Sequence, residues 1–460
     1  MPSITYDKFA GLDRRKSASV SDPNRLRQLT NAFITTAKAI RKRPGLTHVA
    51  TLEAGTVGLF GANGKLNTFY GLGAIAHANS LFQANKVEDP TGTLAVSAVH
   101  DAEVFNGYLY VAIEYSDASV YHHYLDGSSP THVQDVNCPH HKVLTKAQSK
   151  IWSPKDDVVR FCATGSPRDW TTAEDAGFLP VGLQHSGEAT PTALGQHQRD
   201  LIVFFADGAQ SWVVDPDPTL HVLRTTLEGI GTVYPRSVRR VNDDVFFLGH
   251  DGYRSFSVQA ATQNLSDTDV GSPIDDLVFP RLVGGINPVS TYYSGAGQYW
   301  DLLGDTVDVF SFSRTEKISA WSQYVFGAAP DAFALLSGNL YLRFGDEVYR
   351  VDKSSYTDGG TEFPVTVELP FLDFKSPGYI KYIESMDIVI QGDAEIQFRW
   401  DSRTPEFITD PIQVSGDSRP GERIPVNITT NAIAPVITAT HAGEFQLESI
   451  TFYYNVLGPL

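Results

Sequence analysis

"LIVFFADGAQSWVVD", residues 201–215, holds two apolar runs on either side of Ala206-Asp207-Gly208. It reads as strand, tight turn, strand, because a short Asp-Gly connection supplies the positive φ angles that hairpins require. The same design returns in "EVFNGYLYVAIEY" (103–115) and "DVFFLGHDGYRSFSV" (244–258). Related hairpins occur in "GLFGANGKLNTFYGL" (58–72) and "FALLSGNLYLRFGDEVYRVD" (333–352). Hairpins of one design with almost no helix between them predict radially repeated sheets. Closing such sheets into a propeller leaves only short, protected edges. At roughly 40 to 50 residues per blade, six or seven blades fit residues 46–364.

Outward from the hairpins the texture changes twice. Residues 365–460 lack the hairpin scheme. "VTVELPFLDFKSPGYIKYIESMDIVIQGDAEIQFRWD" (365–401) alternates strongly, and long strands continue to the end. This segment predicts a β-sandwich or platform, covered by the N-terminal arm because domain ends commonly lie close together. The arm, residues 1–45, carries the chain's main helical signal. Ser21 or Asp22 offers a cap, Pro23 a first turn, and Leu26, Leu29, Phe33 and Ile40 a helix-like spacing. Thr35 and Thr36 weaken that helix and make a strand crossing its rival. Pro44 ends either element. The expected fold is therefore all-β: a propeller-like ring of hairpin blades (46–364), plus a β-rich platform built from residues 365–460 and the arm 1–45.

Composition agrees. The chain has 460 residues, 42% hydrophobic and only 19% charged, so it can bury a large core. Twenty Tyr and 26 Phe against 2 Met suit half-buried strands. A net charge of -17 disfavours wrapping DNA or lying on an anionic membrane, while an acidic wall lets a duplex pass without sticking. Cys138 and Cys162 cannot form a disulfide framework and are expected as buried thiols. "MPSITYDKFAG" has no signal-peptide core, and no apolar run is long enough to span a bilayer. Synthesis and folding in the cytoplasm, without membrane insertion, are expected.

Residues that carry chemistry are sparse. "NCPHHK" (137–142) groups Cys138, His140 and His141, with His122 and His123 upstream, but lacks paired zinc-ligand spacing. Asp207, Gly208 and Trp212 approach the Asp-box of sialidase-type propellers without meeting its S-x-D-x-G-x-x-W pattern, and read as turn and core. The acidic pairs Asp156-Asp157, Asp243-Asp244 and Asp275-Asp276 read as loop tips, and no nucleophile elbow, P-loop or H-E-x-x-H is present. No enzymatic activity, cofactor or metal is expected. Lys38, Arg41, Lys42 and Arg43 form a basic cluster ending at Pro44-Gly45, suited to docking on a negatively charged partner.

Several segments together resemble the tail nozzle (tail hub, or DNA stabilisation) proteins of short-tailed bacteriophages. They are "YDKFAGLDRRKSASVSDPNRLRQLTNAFITTAKAIRKRPG" (6–45), "IWSPKDDVVRFCATGSPRDWTTAEDAGFLPVG" (151–182), "GIGTVYPRSVRRVNDDVFFLGHDGYRSFSV" (229–258) and "GAGQYWDLLGDTVDVFSFSRTEKISAWSQY" (295–324). The positions carried over are scaffold positions: Arg43, Pro44 and Gly45; Arg168, Asp169 and Trp170; Asp251, Gly252 and Tyr253; Trp300, Trp321 and Tyr324. The resemblance implies a virion protein of the tail, hexameric, below the portal and adaptor rings. It would extend the DNA channel for double-stranded DNA without sequence-specific binding, retain and later release the genome, and anchor tail fibres or spikes. The basic cluster would then meet the adaptor ring. The alternative is a receptor- or glycan-binding tail propeller, with Tyr108, Tyr110 or Tyr121 lining a groove.

Overall fold

The computed structural model describes residues 2–127, 131–133, 135–262, 269–282, 285–313, 315–418 and 421–459. Among these, seven blades of three or four strands follow one another along the chain between residues 45 and 352, six as separate sheets and one as the end of a nine-stranded sheet. Their innermost strands are Val57–Ala62, Val96–Phe105, Thr145–Ala147, Ala193–His197, Arg239–Val241, Val289–Tyr293 and Ala332–Leu336. Each touches the next, and Ala332–Leu336 returns to Val57–Ala62, so the seven blades close a ring.

Local chemistry explains the hairpins. Asn106-Gly107 turns between Phe105 and Tyr108 with φ of 49° and 82°, both positive as a two-residue hairpin demands. The first blade departs from the simple pattern. Lys65–Tyr70 runs parallel to Phe82–Glu88, which pairs in parallel with Thr131–Val133, contributed after the second blade.

Ring closure does not use consecutive chain alone. Gly45–Thr51 pairs antiparallel with Glu347–Asp352 and completes the seventh blade from the far end of the sequence. Gly45 is required there for space: a Cβ would lie 2.2 Å from the Thr357 carbonyl oxygen. The arm is therefore strand, not helix. Gln28–Thr30, Ala32–Ile34 and Ile40–Lys42 are short strands, the first two separated by Asn31 at φ 57° and the last two by a turn holding Lys38 at φ 63°. Leu26, Leu29 and Ile40 are buried as the periodicity predicted, but by cross-strand partners. The β-branched Thr30, Ile34, Thr35 and Thr36 favour that outcome, and tertiary pairing overrides helix propensity.

The platform forms from both chain ends. Tyr379–Gln391 pairs with Gln446–Pro459 along almost their whole length. Ser3–Tyr6 and Ile40–Lys42 add to the other edge of Gln446–Pro459. The facing sheet is continuous with the sixth blade. Gln28–Thr30 lies between Ile318–Val325 of that blade and Val365–Glu368 of the platform, joining nine strands into one sheet. Propeller and platform share one core, in which Phe246, Phe310 and Trp321 pack in the same cluster as Ile388, Ile396 and Phe452. Burying such side chains contributes about 1.5–3 kcal/mol each, so the two halves are held together as one body.

Candidate functional site

The arm junction and the ring axis both draw charged groups inside this acidic chain. At the junction Arg43 is fully buried. Its guanidinium makes a two-pronged contact with Asp358, at 2.9 and 2.5 Å, and donates to Asn31 Oδ1 at 3.0 Å and to the Pro44 and Val325 carbonyls. It sits 3.7 Å from the Phe363 ring centre and 4.3 Å from that of Phe326. Lys42 is also buried, donating to the His441 carbonyl at 2.5 Å and facing Phe363. Burial, then the Arg43 charge beside it, pulls the Lys42 ammonium down to about 8. Arg41 is half-exposed and pairs with Glu444 at 2.5 Å and with the Tyr356 hydroxyl. Lys38 sits at a turn with φ 63°.

The docking role expected for this cluster needs correcting for two members. Lys42 and Arg43 are turned into their own chain, where aromatic faces and carboxylate satisfy them; only Lys38 and Arg41 remain at the surface.

The other scaffold positions gather around cores and turns. Trp300 packs edge-on against Tyr324 at 5.1 Å, and Tyr324 lies beneath the Arg43 guanidinium. Tyr253 stacks on Trp321 at 4.8 Å and donates its hydroxyl to Asp308. Asp251 is exposed at the preceding turn, and Gly252 adopts φ 118°. Trp170 is buried and donates to Asp135 Oδ2 at 3.0 Å; Asp169 caps Thr171 and Thr172, and Arg168 is exposed. Asp207 accepts from His185 at the hairpin turn, while Gly208 and Trp212 are buried, as turn and core.

Cys138 and Cys162 are buried and unbridged, and burial pushes their thiols up to about 11 and about 12. Cys138 Sγ lies 3.5 Å from His140 Nδ1. His122 is enclosed, its ring bonded to the His141 carbonyl. Of the acidic pairs, Asp244 caps Ser255 and Ser257, and Asp275 takes Arg254 at 3.0 Å. Tyr110 belongs to the core while Tyr108 is exposed, so these two do not share one aromatic surface.

The ring axis holds a cavity of about 660 Å³, lined by the inner strands of the first, second, fifth, sixth and seventh blades. A smaller pocket adjoins it and shares Asp101, Arg236 and Arg239. Asp101 and Glu103 stand two apart on Val96–Phe105 and so share one face of that strand. Both are half-buried and line the cavity. Burial, with the neighbouring Asp101 charge, raises Glu103 to about 7. Asp101 is raised by the same desolvation, although its oxygens accept from the Leu144 and Ala102 backbone amides. Arg239 donates to the Ser290 and Val238 carbonyls. Burial and Arg239 together pull Arg236 downward. Sequence reasoning missed this set. The "DAE" alternation marked one strand face, but Arg236 and Arg239 come from a distant segment that only ring closure brings opposite.

No protein-family model and no curated protein matches the chain. Among solved structures it is similar to a chain in the crystal structure of a mitotic checkpoint complex, with 11% identity, 76% of this chain and 91% of that one covered, and a TM-score of 0.35. It is also similar to the extracellular domain of a putative hybrid two-component system from B. thetaiotaomicron, with 9% identity and a TM-score of 0.44. That likeness covers 93% of this chain and 60% of the other. Among the described residues, no helix is long and apolar enough to cross a membrane.

Proposed function

We propose that this chain is a structural protein of a virion tail, a nozzle or hub ring of a short-tailed bacteriophage. In this reading it extends the portal–adaptor channel, retains and later releases the genome, and anchors fibres or spikes. The observation that carries the proposal is the arm junction. One strand, Gln28–Thr30, is shared between propeller and platform, and Arg43 is bonded to Asn31, the residue that follows it. A part that holds packaged DNA needs its two halves fixed to each other, and this junction suits that need.

The DNA path would run between copies, not through the propeller. A duplex whose major groove alone is about 12 Å wide cannot enter an axial cavity of about 660 Å³. Copies would join side to side through heterologous contacts that close by rotation. Exposed apolar side chains at the far end of the platform ribbon, Tyr379, Val456 and Leu457, offer surface for such contacts. The net charge of -17 suits a conduit wall. The genomic neighbourhood tests this reading: portal, adaptor and capsid genes beside this one are expected, and a setting of metabolic or signalling genes would overturn it.

A further inference from the structure

Residues 13–27 of the arm form a basic loop on a chain of net charge -17. The loop carries five cations, Arg14, Arg15, Lys16, Arg25 and Arg27, against two carboxylates, Asp13 and Asp22. Backbone bonds fix it in place. At its base Asp13 N donates to the Leu26 carbonyl and Leu26 N to that of Gly11, at 3.0 and 2.9 Å. Along its course Arg14 N donates to the Pro273 carbonyl at 2.7 Å, and the Ala18 carbonyl accepts from Phe371 N at 2.9 Å. Asp13 holds Arg15 at 2.6 Å, and Glu368 and Asp276 lie near Arg27. Glu368 also pairs with Arg399 at 3.4 Å, so counting these neighbours the cations still lead, six to four. Arg15 and Lys16 are exposed. The matching charge lies on the outer edge of the nine-stranded sheet, where Ile412–Ser415 is the last strand and Asp393–Arg399 its neighbour. This strand pair and its flanks carry Asp393, Glu395, Asp410 and Asp417, against Arg399, which Glu368 already pairs. Asp393 and Glu395 stand exposed on one strand face, while Ala394 and Ile396 enter the core. Asp393 accepts from the Ser415 hydroxyl at 2.6 Å and Glu395 from the Gln413 amide at 2.7 Å, neutral donors that leave both charges in place.

We propose that the basic loop 13–27 of one copy docks on the acidic edge around Asp393 and Glu395 of the next, joining copies head to tail. The two patches lie apart within one chain. The loop leads into Gln28–Thr30, which is three strands, about 14 Å, from Asp393–Arg399. Register separates them further: Gln28 aligns through Glu368 and Val436 with Gln397, so the loop extends beyond one end of these strands and Asp393 lies toward the other. Complementary patches so placed on one rigid body engage a neighbour on each side, the heterologous arrangement that closes by rotation. Guanidinium forks match carboxylates, and a second copy brings those carboxylates with it. Duplex DNA would meet the acidic remainder of the chain as well, which repels it. Such a junction rests on the side-by-side reading above and names the two surfaces that meet.

Analytical ultracentrifugation of the full chain over a concentration series tests it. Wild type is expected to self-associate, and raising salt from about 0.05 to about 0.5 M should weaken that association because exposed ion pairs are screened. A loop variant, Arg15→Gln with Lys16→Gln, and an edge variant, Asp393→Asn with Glu395→Gln, should each self-associate about fivefold more weakly or worse. Near-UV circular dichroism should be unchanged in both. Mixed in equal amounts, the variants should pair through one intact loop and one intact edge and stop at two chains. If the loop variant fails to fold, Lys16→Gln alone serves, with about a twofold loss expected. Wild-type assembly in both folded variants, or a mixture that restores nothing, would overturn the junction while leaving side-by-side assembly standing. A wild type that stays single at every concentration would overturn both. Unchanged self-association in the loop variant, together with loss of a duplex-DNA gel shift that wild type shows, would assign the loop to nucleic acid and overturn the junction.

Discussion

Arg43 shows how a surface-looking residue becomes an internal fastener. In the sequence it is one of four clustered cations near the end of an arm; in the fold it has a carboxylate partner, three further acceptors and three aromatic rings beside it. Removing one member of a buried pair costs about 3–5 kcal/mol because the other charge is stranded. Asp358 keeps some solvent contact, so Asp358→Asn is expected to cost nearer about 2–3 kcal/mol in urea unfolding. Arg43→Lys should cost a similar amount, since a lysine cannot reproduce the fork. Near-wild-type stability in both variants would refute the fastener role. Glu103 gives a pH signature. The unfolded chain releases that proton near 4.5 and the folded chain near 7, so folding loses stability as pH rises through this window and no more above it. Glu103→Gln is expected to be more stable than wild type at pH 8 by about 2 kcal/mol, allowing for water in the cavity, and level with it at pH 4. A constant difference across that range would contradict it.

The elements divide into those legible from local pattern and those set by distant partners. Asn-Gly and Asp-Gly turns between apolar runs marked blade hairpins correctly because a hairpin is decided within a dozen residues. The strand Gly45–Thr51 was not legible, since its partner Glu347–Asp352 lies some three hundred positions away. The arm misled for the same reason. Leu26, Leu29 and Ile40 have a spacing that two periodicities share, and the neighbouring strands decided between them. The site was less legible than the fold. Its arginines and carboxylates carry no spacing motif, and only the ring sets them face to face. Gly45→Val tests the closing strand. Its side chain would meet the Thr357 backbone, so the seventh blade should open and limited proteolysis should cut near residues 45–56; unchanged protection would show that the ring does not rely on this closure.

At the scale of the molecule, one core spanning propeller and platform predicts a single cooperative unfolding transition in calorimetry, whereas separable domains would give two. An acidic exterior predicts that the chain leaves duplex DNA unshifted in a gel at physiological salt; tight retention would contradict a conduit. The central claim is that copies of this rigid body assemble around a shared passage. Electron microscopy of the purified full chain, taken to high concentration, tests it most directly. Six-membered rings with an open lumen wide enough for a duplex are the predicted result, and isolated single toroids at every concentration would contradict it.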